Sequence, residues 1–242
     1  QGPREFLLTQ LRGATVTGGE QFTSNGMDGY SVITTNGSPL DGGAGPVRWI
    51  IVDDGPEAQP VTFSRDDWEL VVIRPAPHWR PGRNTQARNL LAGLDAVAPD
   101  DHLVVIEDDD WYAPDWIQTV AGQMASAELV GEHRARYYNV ALRRGRQLGN
   151  ASHASLCSTA MRGSAIAGFR KACQRSEKFI DLDLWRRARS RRLFAGHRVV
   201  GIKGLPGRGG IGMGHRDDFR GQDDLDGALL REWIGDDARL YA

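Results

Sequence analysis

Four adjacent carboxylates, Glu107, Asp108, Asp109 and Asp110, directly follow an apolar run at residues 103–106. An unbroken run of four apolar residues is typical of a strand that is buried on both faces. Neighbouring carboxylates repel one another, so they need solvent, protons or a cation, and their hard oxygens suit Mg²⁺ or Mn²⁺. The stretch therefore predicts a metal site at the carboxyl edge of a sheet, where α/β folds bind ligands. An acidic turn on a solvated surface is the alternative interpretation.

The elements that must position these carboxylates are indicated by the spacing of apolar residues. Short apolar runs predict strands at residues 30–35, Val47–Val52 and Trp68–Ile73, and helical spacing predicts a helix at residues 86–97. The second of these strands also ends in two aspartates. Strands that alternate with helices, two of them ending in carboxylates, imply an α/β fold with a mostly parallel open sheet and helices on both faces.

The C-terminal part of the chain has weaker patterns. Residues 137–142 and 199–202 predict strands, and residues 179–192 predict a helix. Residues 143–160 are polar, and their pattern indicates no element. The glycine-rich residues 201–214 predict a mobile loop.

Charge is distributed unevenly, although the net charge of the 242 residues is only −1. Residues 1–133 carry 8 Lys/Arg and 20 Asp/Glu, whereas residues 134–203 carry 17 Lys/Arg and 3 Asp/Glu. The contrast predicts a single domain whose parts, residues 1–133 and 134–242, face different partners, the basic part facing an anionic one. Mutual attraction of the two parts across a common interface is the alternative.

Composition and cysteine usage indicate the class of protein. With 25% charged residues and no apolar run of 18 residues, the sequence is typical of a soluble globular protein without a membrane span. Cys157 and Cys173 fit reduced structural thiols better than a disulfide framework. We therefore expect a cytoplasmic protein, which would act in the host cytoplasm if a phage encodes it.

Four segments together resemble the family 2 glycosyltransferases of the GT-A fold. They are IIVDDG at residues 50–55, QARNLLAGLDA at 86–96, VVIEDDDWYAPDW at 104–116 and IDLDLW at 180–185. They occur in the order of the family's motifs and near their spacing, and the resemblance covers about residues 47–215. It implies a GT-A-like fold with a C-terminal acceptor side. It also implies inverting transfer of a sugar from a nucleoside-diphosphate sugar, with a UDP-sugar favoured, to a hydroxyl group.

The resemblance also implies which residues contact the nucleotide. In that family the acidic pair after the second strand contacts the nucleobase and ribose, which implies this role for Asp53 and Asp54. Carboxylates accept hydrogen bonds well from such N–H and hydroxyl groups. Arg88 matches a nucleotide-binding arginine of the family, and a fixed guanidinium suits that task. Without the resemblance, the aspartates would form a simple turn and the arginine would be an exposed helix residue.

The acidic stretch takes the place of the family's DxD motif. With Pro114 as the anchor of the alignment, Asp109 would bind Mn²⁺ or Mg²⁺ directly and Asp108 would face the ribose. Asp110 is the alternative metal ligand. His215 is implied as a further ligand, because some related enzymes have a histidine at that place. The cation would neutralise charge that builds up on the departing nucleoside diphosphate.

A separate carboxylate would act as the base. Asp181 matches the family's catalytic aspartate and, within reach of the acceptor hydroxyl, could remove its proton as the anomeric carbon is attacked. Asp183, two residues further along, is the alternative base. A helix N-cap is the structural interpretation of Asp181.

The basic part of the chain would face the acceptor, because the family places its acceptor site in the C-terminal part. The arginines concerned are Arg143, Arg144, Arg146, Arg186, Arg187, Arg189, Arg191 and Arg192. Such a cluster suits a polyanion, and we favour hydroxymethylated-pyrimidine DNA, whose target base would be flipped out to reach Asp181. Glycosyl transfer in surface polysaccharide synthesis and nucleotidyl transfer on a similar sheet are the alternative functions.

Overall fold

In the computed structural model, two β-sheets and the helices packed on them make up the described part of the chain, which comprises residues 30–36, 47–55, 68–78, 80, 84–107, 109–205 and 212–241. Its strands are β1 (Tyr30–Asn36), β2 (Val47–Val52), β3 (Trp68–Ile73), β4 (Asp101–Glu107), β5 (Trp111–Tyr112), β6 (Leu129–Glu132), β7 (Arg136–Asn139), β8 (Arg144–Gln147), β9 (Thr159–Arg162), β10 (Arg191–Phe194), β11 (Val199–Lys203) and β12 (Gln222–Asp223). Its α-helices are α1 (Gln86–Leu94), α2 (Trp116–Met124), α3 (Ser164–Arg175), α4 (Ile180–Arg187) and α5 (Ala228–Ile234). Short 3-10 helices lie at Leu156–Ser158, Met213–His215 and Gly235–Leu240.

The first sheet has seven strands in the order β10-β6-β9-β4-β1-β2-β3. The α/β class is confirmed. The predicted mostly parallel sheet is not found, because only β2 with β3 and β6 with β10 pair in parallel among these strands. Strands β1 and β9 run antiparallel to both of their neighbours. The other five strands therefore point in one direction, and the reversed strands stand between them. The mixed arrangement was not predicted, because an apolar run identifies a strand without determining the direction of its partners.

Strand β1 separates the two strands that end in carboxylates. Tyr30 pairs with Val52 at the end of β2 and with Glu107 at the end of β4. The two acidic ends therefore lie at the same edge of the sheet, two strand spacings or roughly 10 Å apart.

Strand β4 is buried on both faces, as its apolar run predicts. Leu103 and Val105 pack with α1, α3 and α4, whereas Val104 and Ile106 pack with α2 on the other face. The helices thus cover both faces of the first sheet, as expected. Each of these four side chains is at most 2% exposed, so the burial of each contributes about 1.5 to 3 kcal/mol to folding.

The second sheet has five strands in the order β12-β8-β7-β11-β5. Val200 and Ile202 of β11 pack against Leu230 and Ile234 of α5 in a third apolar cluster. Strand β5 comes from the acidic part of the chain, whereas β9 and β10 come from the basic part and belong to the first sheet. Both parts of the chain therefore contribute strands to both sheets.

Several C-terminal elements differ from the sequence prediction. The helix expected at residues 179–192 ends at Arg187, and β10 follows it. Strand β8 lies within the polar residues 143–160, and α3 was not predicted. In the glycine-rich stretch, residues 201–203 belong to β11, whereas residues 206–211 lie outside the described residues. Among the described helices, none has the length and apolar character needed to cross a membrane.

Candidate active site

The carboxylates that follow β4 lie in a tight turn that leads into β5. The N–H of Asp110 donates to the carbonyl of Glu107 (3.3 Å), and the N–H of Glu107 donates to the hydroxyl of Tyr112 (2.8 Å). Asp109 and Asp110 are only 4% and 3% exposed. Asp108, which the resemblance assigns to the ribose, lies outside the described residues. The turn thus buries carboxylates, which require a compensating charge or protons.

The compensating charge comes from Lys203, the last residue of β11. Its Nζ lies 2.8 Å from Oδ1 of Asp110, 3.0 Å from Oδ2 of Asp109 and 3.4 Å from Oε2 of Glu107. Only 6% of the lysine side chain is exposed. Sequence analysis missed this lysine, because more than 90 residues separate it from the turn. The sequence did contain a signal for this lysine, because β11, like β4, is a mostly apolar run that ends in a charged residue.

Among the described residues of the turn, Lys203 alone cannot neutralise the carboxylates, because three of them in the ionised form with one ammonium would leave a charge of −2. Burial raises the pKa of Asp110 well above its ordinary value, and it also raises the pKa of Glu107. The charge of Asp109 adds to both shifts, whereas Lys203 opposes them. The turn therefore favours a bound proton or a further cation.

His215 lies beside Asp109. Its Nε2 is 3.9 Å from Oδ2 of Asp109, and its Nδ1 is buried with no hydrogen-bond partner among the described residues. Burial and, to a lesser extent, the charge of Lys203 lower the pKa of His215 to about 4. The ring is therefore neutral at pH 7, which is the form that binds metals. One carboxylate oxygen and one neutral imidazole beside it fit a divalent cation such as Mn²⁺.

A second group that could hold a metal consists of Glu107, Asp110 and Cys157, whose ligand atoms lie within 4.8 Å of one another. This group fits Mg²⁺ or Mn²⁺ poorly, because a thiol is a soft ligand and burial raises the pKa of Cys157 well above its ordinary value. Lys203 already contacts both carboxylates. Oδ1 of Asp110 also accepts the N–H of Ile202 (3.0 Å), so this carboxylate fixes β11 to the turn.

Asp181 lies near the acidic turn, in the first turn of α4. Glu107 shares a face of β4 with Val105, which packs in one cluster with Ile180 of α4, and the charge of Asp181 is the smallest of the causes that raise or lower the pKa of Glu107, here raising it. Burial raises the pKa of Asp181, whereas the N–H of Leu182, which donates to Oδ1 (2.9 Å), and the charge of His153 lower it. A raised pKa makes this carboxylate a better base near neutral pH. The N-cap position belongs to Phe179, so Asp181 is not the N-cap of the helix.

Asp183, the alternative base, is engaged in ion pairs with arginines. Arg175 donates to its Oδ2 and Arg187 to its Oδ1, both at 2.6 Å, and Arg186 lies at 3.4 Å. The hydrogen bond from Arg187 is the main cause of the lowered pKa of Asp183. A carboxylate held in its charged form in this way is a weaker base than Asp181.

Asp54 and Arg88, two of the predicted nucleotide ligands, contact each other. Oδ2 of Asp54 accepts hydrogen bonds from Thr85 (2.6 Å), Asn89 (2.8 Å) and Arg88 (3.1 Å). These donors belong to the start of α1, so Asp54, which is 2% exposed, fixes that helix to the end of β2. The side chain of Arg88 is 30% exposed and can still face a ligand.

Asp53 makes fewer contacts than its neighbour. The N–H of Gly55 donates to its Oδ1 (3.0 Å), and Nε of Arg74 donates to its Oδ2 (3.2 Å). Each carboxylate oxygen can accept two hydrogen bonds, so Asp53 keeps capacity for a ligand.

Comparison of the chain with protein-family models, curated proteins and solved structures found no significant match. The resemblance to family 2 glycosyltransferases therefore rests on the four sequence segments. The fold alone does not assign a function, because one fold supports many activities.

The basic arginines lie on both sheets. Arg191 and Arg192 belong to β10 in the first sheet, whereas Arg144 and Arg146 belong to β8 in the second. Part of this charge is neutralised locally, since Arg144 pairs with Asp223 at 2.5 Å. The arginines that the sequence groups together are therefore divided between the two sheets.

An open groove of about 620 Å³ lies beside β8 and is lined by Arg136, Arg146, Arg220, Glu232 and Trp233, among others. The guanidinium of Arg136 lies 5.1 Å from the ring centre of Trp233. Among the described residues, Arg146 and Arg220 are exposed and have no ion-pair partner. The groove therefore presents positive charge beside an aromatic ring.

The groove is lined from both faces of the second sheet, because Arg146 pairs with Tyr137 and therefore lies on the face opposite Arg136. Arg136 shares a face of β7 with Tyr138, which packs with α5. Ile202 of β11 packs in the same cluster, so Lys203, the next residue, points to the other face.

Proposed function

We propose that this protein is an inverting glycosyltransferase with a GT-A-like site, which moves a sugar from a nucleoside-diphosphate sugar to a hydroxyl group of a polyanionic acceptor. One observation carries the proposal. A buried acidic edge, where Asp109 and the neutral ring of His215 fit a divalent cation, shares one region with the separate carboxylate of Asp181. Transfer from a sugar nucleotide requires both parts, a counter-charge for the diphosphate and a base for the acceptor.

Asp181 acts as the general base in this proposal. It takes the proton of the acceptor hydroxyl, whose oxygen forms a bond to the anomeric carbon from the face opposite the diphosphate. The bond between that carbon and the diphosphate oxygen breaks, and the nucleoside diphosphate leaves with the bonding electrons. Mn²⁺ or Mg²⁺, when bound by Asp109 and His215, would supply positive charge to the leaving group. The raised pKa of Asp181 favours proton uptake near neutral pH.

Asp53 and Arg88 are the nucleotide contacts that we propose at the other acidic end. Asp53 keeps acceptor capacity, and Arg88 keeps one N–H beyond those that it donates to Pro77, Asp54 and Asn89, whereas Asp54 is used to hold α1. The separation of about 10 Å between the ends of β2 and β4 would leave room for a nucleoside between these contacts and the metal.

The acceptor that we propose is DNA with hydroxymethylated pyrimidines. The groove supports an anionic partner, because Arg146 and Arg220 offer charge to phosphates and the ring of Trp233 can contact a base. The groove would anchor the polymer, and a flipped base would reach Asp181.

A nucleotide screen followed by a label-transfer assay tests the proposed function. We expect one of UDP, GDP, CDP and dTDP to raise the melting temperature only with Mn²⁺, because a ligand of the native state stabilises it by mass action. The labelled sugar of the matching donor should then appear on hydroxymethylated DNA. Label on a carbohydrate polymer would instead assign the enzyme to polysaccharide synthesis. No stabilisation by any of the nucleotides would contradict glycosyl transfer.

Charge reversal in the groove is expected to weaken DNA binding. The double variant Arg146→Glu and Arg220→Glu should lower affinity at least about tenfold and reduce the slope of log affinity against log salt by about 2, because two phosphate contacts are lost. Affinity can be measured by fluorescence anisotropy at several salt concentrations. The matched control is Arg189→Glu with Arg192→Glu, which reverses the same charge near and on β10. If the control variant loses affinity and the groove variant does not, the anchor lies on β10.

A further inference from the structure

The ammonium of Lys203 is fully engaged in the acidic turn. A lysine has three N–H donors, and three carboxylates lie within 3.4 Å of this nitrogen. The oxygen of Asp109 that Lys203 contacts is Oδ2, which is also the oxygen that faces His215. A divalent cation shared by Asp109 and His215 would therefore compete with the lysine for one and the same atom.

We infer that Lys203 is an exchangeable counter-ion, which holds Asp109 when no metal is bound and contacts the diphosphate of the ligand when the metal is bound. The inference rests on the metal and diphosphate sites of the proposed function. Lys203 gives up its contact with Asp109 and keeps those with Asp110 and Glu107. One N–H then becomes available to a phosphate oxygen, and a charge-assisted hydrogen bond of this kind is strong.

The position of Lys203 on the molecule supports exchange rather than departure of the side chain. The N–H of Ile202, the preceding residue, donates to Asp110, so the backbone of β11 is fixed to the turn. Of the three carboxylates, Asp110 is the closest to Nζ, at 2.8 Å. The ammonium can thus release one carboxylate while it remains beside the other two.

The lysine stem also packs beneath the turn that carries His215. A Cβ added at Gly214 would lie 2.7 Å from Cγ of Lys203, so glycine is required for this approach. The amide of Asn139 donates to the carbonyl of Gly214 at 2.8 Å and fixes the turn. The metal ligand and the lysine are therefore held in one packed unit, which favours a direct exchange between them.

Two binding measurements on the variant Lys203→Met test the inference. Mn²⁺ affinity, measured by electron paramagnetic resonance, should rise about tenfold, because a competing positive charge is removed. Affinity for inorganic pyrophosphate at saturating Mn²⁺, measured by calorimetry, should fall about tenfold, because a charge-assisted hydrogen bond is lost. Lys203→Arg, which retains the charge, should restore most of the pyrophosphate affinity.

The opposite signs of the two changes are what distinguish exchange from a structural role. A lysine that only supports the turn would lower both affinities when it is replaced, and that result would overturn the inference, as would two unchanged affinities. If Lys203→Met does not fold, the double variant Glu107→Gln with Lys203→Met removes one negative charge with the positive one, and the same two changes are expected. Neither measurement requires sugar transfer. Opposite changes without transfer activity would therefore refute the proposed function and leave the inference standing.

Discussion

Replacing Asp181 by asparagine should lower sugar transfer about 10³-fold and leave binding of the sugar nucleotide unchanged. A positioned general base contributes about 10² to 10⁴ to the rate of such reactions. Asparagine keeps the shape of the side chain and an oxygen that can accept the N–H of Leu182, but it cannot take up the acceptor proton. Initial rates of label transfer would measure the first effect, and the metal-dependent thermal shift with the matching nucleotide would measure the second.

Asp183→Asn is the matched control for this substitution. It removes a carboxylate two residues away on the same helix, and the ion pairs with Arg175 and Arg187 would be lost. We expect transfer to change less than about tenfold, because the lowered pKa of Asp183 makes it a poor base. Large loss of transfer in the control with little loss in Asp181→Asn would identify Asp183 as the base.

The second large effect is expected from Asp109→Asn, which should weaken Mn²⁺ binding more than 100-fold and abolish the metal-dependent stabilisation by nucleotide. Loss of a residue that only orients a metal ligand typically costs about 10- to 100-fold in affinity, and Asp109 is the proposed ligand itself. The amide substitution avoids a cavity beside Lys203 and keeps an oxygen near its ammonium. Titration with Mn²⁺ followed by electron paramagnetic resonance would measure the affinity.

The neighbouring substitution Asp110→Asn determines the register of the acidic motif. Oδ1 of Asp110 accepts from Ile202 and Lys203, so we expect lower stability and only a modest change in Mn²⁺ affinity. If Asp110→Asn abolishes metal binding while Asp109→Asn retains it, the motif is shifted by one residue.

His215→Ala should also weaken Mn²⁺ binding, as Asp109→Asn does, because it removes the second proposed ligand.

Two strands of the first sheet were predictable from runs of apolar residues. Val47–Val52 and Trp68–Ile73 match the predicted bounds, although only β2 is largely buried, and Val72 of the edge strand β3 is 43% exposed. The reversed direction of β1 was not predictable, because pairing is decided by distant segments. The helix predicted at residues 179–192 ended early, because residues 191–194 pair with β6 instead.

Polar composition concealed a buried segment before β9. Ser158 and Thr159 are buried, and their hydroxyls donate to the carbonyl of Ser155 at 3.1 and 2.8 Å. Hydroxyl groups that are satisfied by the backbone can be buried at little cost, so polarity alone does not indicate exposure. For this reason the sequence pattern did not indicate the elements in this region.

The candidate site was predicted in part. His215 lies 3.9 Å from Asp109, the residue with which the resemblance groups it as a metal ligand, and the proposed roles of both residues stay predictions. The sequence marks Lys203 as a charged residue at the end of an apolar run but does not show what it contacts, because the contact depends on the pairing of β11 with β5, the strand that follows the acidic turn. The resemblance implied a nucleotide contact for Asp54, whereas its Oδ2 accepts hydrogen bonds from the start of α1.

The exchange of strands between the two sheets restricts how the acidic and basic parts can move apart. The acidic turn connects β4 of one sheet to β5 of the other, and β9 and β10 return from the basic part to the first sheet. A hinge rotation that separated the acidic and basic parts would break backbone hydrogen bonds in both sheets. A cut between the acidic and basic parts would therefore not yield two independently folding halves.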